Sequence, residues 1–150
     1  MSFQIVGEAK IKRTLKGFSD EALKRKILLS VLRQSAKPII NNAKQNATSI
    51  DADPLFVEYI RQAIAFKASK KSKFNKTGLV SGSVFPIPRK MPKQYRHLGH
   101  LFNTGTSKGI DPNLYMAKAE SKRGESFKGI EKNVDRILTR YAKKNGFTVR

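Results

Sequence analysis

His97 and His100 are the only two histidines in the chain, and they stand three residues apart in "HLGH". On one helical turn that spacing can bring two ring nitrogens together. Gly99 lies between them, however, and no cysteine or neighbouring acid completes a metal shell. The expectation is a pair of surface or half-buried structural histidines, with no metal and no cofactor. The eleven acids offer little more. Glu120, Glu125, Glu131 and Asp135 alternate with Lys and Arg as solvated helix partners. Asp51 and Asp53 fall in the turn-forming stretch "NATSIDADP", where helix capping is the ordinary role. Serines are plentiful, but none sits in a G-x-S-x-G elbow. No catalytic residue is assigned, and a non-enzymatic protein is expected.

The stretch "HLFNTGTSKG", His100 to Gly109, invites comparison with a phosphate cradle. A P-loop requires G-x-x-x-x-G-K-[ST] between a strand and a helix. Here Gly105 and Gly109 are four apart, Lys108 precedes the second glycine, and Asp111-Pro112 follows. The pattern fails, and a turn in which glycine supplies a positive φ explains the segment better.

Charge is the largest departure from an ordinary domain. Thirty-one Lys and Arg against eleven Asp and Glu give +20, spread over both halves of the chain. No acid occurs between Glu58 and Asp111, an interval with eleven Lys and Arg. Five of these, Lys67, Lys70, Lys71, Lys73 and Lys76, lie in "KASKKSKFNK". Such a field raises affinity for any polyanion, whether nucleic acid, an acidic protein surface or anionic lipid. With Phe66, Phe74, Phe85, Tyr95 and Phe102 interspersed, the interval also has the makings of a nucleic-acid surface, in which lysines track phosphates and rings stack on bases. No helix-turn-helix, zinc-finger, RRM or KH signature accompanies it.

The elements that must position these residues follow from periodicity. Ser19 caps a helix predicted from about Asp20 to Asn46, with Leu23, Ile27, Val31, Leu32, Ala36, Ile39, Ile40 and Ala43 on one stripe. Pro38 either kinks it or opens a second helix. So long a stripe needs a partner surface. Pro54 starts another helix, predicted over Leu55 to Phe66. The lysine-rich segment is expected to be exposed, and "TGLVSGSVFPIPRK" reads as a sheet edge or an extended arm because of Pro86 and Pro88. A last helix runs from Asn113 or Leu114 to Lys144. The result is one α+β domain over residues 1–150, with a basic insert at about 66–77 and a C-terminal tail at 145–150. Zero cysteines exclude disulfides, no apolar run is long enough to span a bilayer, and "MSFQIVGEAK" lacks a secretory layout, so an intracellular protein is expected.

The order of three short motifs adds a family resemblance. Thr77-Gly78-Leu79 with Ser81 and Ser83-Val84 comes first. Phe102 with Gly105 and Thr106 comes second, and Leu114-Tyr115-Met116 with Ala117 and Ala119 last. In this order the chain resembles the small tail-completion and head–tail joining (neck) proteins of long-tailed bacteriophages and prophages. It departs from them at Asn103-Thr104, where a glutamate is common, and in a lengthened, unusually basic connection before the sheet. The resemblance implies a long N-terminal helix, a small twisted antiparallel sheet and a long C-terminal helix. It implies a virion protein, made in the host bacterial cytoplasm, that assembles with itself into a ring and touches head-connector or tail proteins, with no membrane and no small-molecule substrate. On this reading Phe102, Gly105 and Thr106 form a structural corner. The N-terminal helix and the basic arm contribute to the ring interface, and Lys67, Lys70, Lys71, Lys73 and Lys76 face a neighbour, an acidic partner or DNA.

Overall fold

The structure, a computed structural model, describes residues 21–70, 80–105 and 113–144. These are mostly helical, with one two-stranded antiparallel sheet. Helix α1 (Glu21–Ser35) and helix α2 (Lys37–Asn46) occupy the stretch predicted as one helix. Pro38 lies in the first turn of α2 and brings no N–H to the carbonyl four residues back, so the ladder is interrupted around Ala36. The interruption is slight. Ala36 N–H still donates to Leu32 O at 2.9 Å, and Ile40 N–H donates to Ala36 O at 3.0 Å.

Helix α3 (Pro54–Ala63) starts as its residues dictate. Pro54 is in its first turn, and the Asp53 carboxylate accepts from Leu55 N–H at 2.8 Å and Phe56 N–H at 3.1 Å. It ends earlier than predicted. Ile64, Ala65 and Phe66 leave the helix and form strand β1 (Ile64–Ala68), paired with β2 (Gly82–Pro86). Sequence periodicity could not see this, because the hydrogen-bonding partner lies some twenty residues further along the chain. Ile87 N–H donates to Ala63 O at 2.9 Å and Ser69 N–H to Ser81 O at 2.8 Å. By antiparallel alternation the ladder bonds fall on Ala65–Phe85 and Lys67–Ser83. Pro86 therefore takes a position that donates nothing to β1, as a proline in a strand must.

Helix α4 (Leu98–Thr104) follows two short 3₁₀ turns. Helix α5 (Tyr115–Lys118) and a further 3₁₀ turn lead into helix α6 (Arg123–Lys144). The apolar stripe of α1 finds its partner within the chain, since Ile27 and Val31 pack with Ile130, Val134, Ile137 and Leu138 of α6. Asn133 Nδ2 donates to Ser35 Oγ at 3.1 Å across the same seam. The main core joins α1, α2, α3, the sheet and α5 through Leu32, Ile39, Ala43, Phe56, Ile60, Val84, Met91 and Tyr115.

Candidate functional site

Of the corner expected at Phe102, Gly105 and Thr106, the described residues hold Phe102 and Gly105, at the end of α4. Gly105 ends α4 with φ 75° and ψ 176°, a conformation that favours glycine. Its N–H donates to Leu101 O at 2.7 Å, Asn113 N–H to Phe102 O at 3.0 Å, and Leu114 N–H to Asn103 O at 3.2 Å. Three carbonyls at the C-terminal end of α4 are thereby satisfied. Phe102 is half-buried, its ring 5.1 Å from that of Phe56 on α3, so it anchors the corner to the core. Thr106 lies outside the described residues. Because the amides at 105, 113 and 114 are already donating within the chain, the corner is not built as a phosphate cradle on those groups.

Asn103, which in the sequence is only a departure from the family pattern, holds the corner together. Its Oδ1 accepts Met116 N–H at 3.0 Å while its own carbonyl accepts Leu114 N–H, so one residue ties the end of α4 to the start of α5. Tyr115, fully buried, donates its hydroxyl to Gly99 O at 2.7 Å. Burial pushes the phenol well above its ordinary range. Asn46 Nδ2 donates to Tyr115 O at 3.3 Å, and Asn113 Nδ2 to Ser49 O at 3.0 Å, which fixes the corner on the end of α2. The signal available in the sequence was the pair of asparagines flanking the loop, residues whose amides bond readily to nearby backbone.

Beside the corner lies a cleft of about 390 Å³. Val84, Pro86, Met91, Tyr115 and Met116 supply its apolar wall, and Arg96, His100 and Asn103 its polar side. Arg96 Nε donates to Met91 O at 3.3 Å, which positions the guanidinium. No lining residue is acidic. His97 and His100 are both exposed, His97 just before α4 and His100 within it. Among the described residues no group of three or more His, Cys, Asp or Glu is placed to hold a metal, and no helix is long and apolar enough to cross a membrane.

Of the five lysines singled out, Lys67 and Lys70 are exposed, and the Lys67 ammonium sits 5.5 Å from the Phe85 ring centroid. Lys71, Lys73 and Lys76 lie outside the described residues, as do Thr77, Gly78 and Leu79. Of the basic insert expected at about 66–77, Phe66, Lys67 and Ala68 belong to strand β1. Just beyond β1, Ser69 N–H donates to Ser81 O, and Arg25 Nη2 donates to Ser69 O at 3.0 Å. Strands β1 and β2 pair as an antiparallel hairpin. Comparison with protein-family models, with curated proteins and with solved structures returned no match.

Proposed function

We propose that this chain is a non-enzymatic structural subunit of the neck or tail of a long-tailed bacteriophage or prophage, assembling with copies of itself into a ring at the head–tail interface or upper tail. The observation that carries the reading is the corner. An aromatic residue, then Gly105 with a positive φ, redirects the chain towards the terminal helix, in the place where the ordered motifs of the tail-completion family put such a turn. The long N-terminal helix, small twisted sheet and long C-terminal helix of that family are the finer fold expected with it. Ring formation requires two different faces of each subunit to meet.

The second reading, a nucleic-acid-binding protein, is favoured by one specific feature. The acid-free interval places exposed Lys67 and Lys70 at the hairpin and Arg96 and His100 at the cleft. Light scattering at moderate and high salt, with and without a short DNA duplex, separates the two. An oligomer promoted by salt and indifferent to DNA supports the ring subunit. A monomer that joins DNA at moderate salt and leaves it at high salt supports the second reading, and replacing Lys70, Lys71 and Lys73 by glutamine then abolishes the complex.

A further inference from the structure

Charge is segregated along this chain in two opposite intervals. Residues 59–110 contain no acid, and they supply every cleft residue from Val84 to Asn103. Residues 45–60 contain no Lys or Arg, and they hold three acids, Asp51, Asp53 and Glu58. In the middle of that acidic interval stands Leu55, 58% exposed, the most exposed large apolar side chain among the described residues. Asp51 and Asp53 beside it are exposed as well. An isolated exposed leucine is unremarkable. This one is rigidly presented, because the Asp53 cap fixes the first turn of α3, and it is flanked by the charge that the cleft lacks.

Helix α4 keeps the two features apart. Phe102, on one face, packs on Phe56, the residue next to Leu55, while Gly99, His100 and Asn103, on another, line the cleft. Leu55 is exposed and is not among the residues that line the cleft of its own subunit, so the cleft it can enter is that of a second copy. We infer that Leu55 of one subunit enters the cleft of the next, against Met91, Pro86 and Met116, with the carboxylates of Asp51 and Asp53 facing Arg96 and His100. The contact joins unlike faces, so it propagates head to tail, the geometry a ring needs. The assignment deepens the ring-subunit reading and rests on it. One leucine and two carboxylates fall well short of the roughly 800 Å² per partner of a stable pairwise interface. The pair is accordingly weak, and closure into a ring, in which each contact becomes intramolecular, makes it persist.

The absence of cysteine gives a direct test. Leu55→Cys and His100→Cys proteins, each checked for an unchanged thermal transition, are mixed and oxidised. The mixed disulfide is expected to form about tenfold faster than that of a control pair, Leu55→Cys with Lys128→Cys at an exposed site on α6. Adding Arg96→Glu to the His100→Cys copy is expected to remove the advantage. A mixed pair no faster than the control overturns the interface. If the unsubstituted chain still sediments above monomer mass in that case, the ring reading survives and only its contact is reassigned. If the pair does cross-link but the Leu55→Cys/His100→Cys double variant yields only open ladders, the contact stands and the ring reading fails.

Discussion

Gly105 and Leu114 are the two described residues with a positive φ, 75° and 56°, and they bracket the corner from either side. Only the first is a glycine. Gly105→Ala is expected to lower stability by about 1–2 kcal/mol, because a Cβ there is strained whatever space surrounds it, as chemical denaturation will show. Leu114→Gly at the exposed partner position is expected to be neutral or slightly stabilising in the same assay, since it relieves the same kind of strain. Tyr115 behaves differently because its cost is tied to a proton. Tyr115→Phe leaves Gly99 O without its donor and is expected to cost about 1–2 kcal/mol at neutral pH. Above about pH 10 the unfolded chain releases this phenol proton while the buried Tyr115 keeps it, so stability falls as pH rises. The fall is expected to be shallower in Tyr115→Phe than in the parent, measured as unfolding free energy between neutral pH and about pH 11. The turn at Gly105, with its positive φ, was legible from residue type. Asn103 was not, because its role depends on Met116 N–H standing 3.0 Å away, thirteen residues on.

At the scale of elements, the pairing of α1 with α6 decides how the molecule closes. Each stripe alone looks like an interface waiting for another molecule. Together they bury Ile27, Val31, Ile130, Val134, Ile137 and Leu138, with Ile137 only 1% exposed. Ile137→Ala is expected to cost about 2–5 kcal/mol in denaturant unfolding, from lost transfer energy and a cavity the helices can only partly close. The exposed Leu55→Ala serves as the contrast and is expected to stay within about 0.5 kcal/mol of the parent. The hairpin is equally particular. A Cβ on Gly82 would collide with the Phe66 ring and stand 2.8 Å from the Lys67 carbonyl oxygen. Gly82→Ala thus forces β1 and β2 apart, with a cost of about 1–3 kcal/mol expected in the same experiment. Ile64, Ala65 and Phe66 read as helix in the sequence because apolar residues continue into them from α3. Only the β2 ladder distinguishes the two conformations.

For the whole molecule the net charge of +20 sets the conditions under which everything else is seen. Self-repulsion disfavours the compact chain and keeps copies apart, and both effects fade as the Debye length shrinks to about 8 Å near physiological ionic strength. The thermal midpoint is expected to rise by several degrees between about 0.02 and 0.3 M salt, followed by circular dichroism at fixed low protein concentration. Unchanged midpoints over that range would mean that local ion pairs, such as Lys24–Glu21 and Arg61–Glu58, already balance the field.

What the sequence determined by itself was local and chemical. The Asp53-Pro54 helix start, the break near Pro38, the glycine corner and the segregation of acids from bases each depend on residues within a few positions of one another. Contacts across long separations belonged to the tertiary structure. It turned Ile64–Ala68 into a strand and gave the α1 stripe an internal partner in α6. It also assembled Val84, Met91, Arg96, His100 and Tyr115 around one cleft. Periodicity reports which face of an element is apolar. Which surface covers that face depends on how the elements pack, and that is decided only when the chain closes on itself.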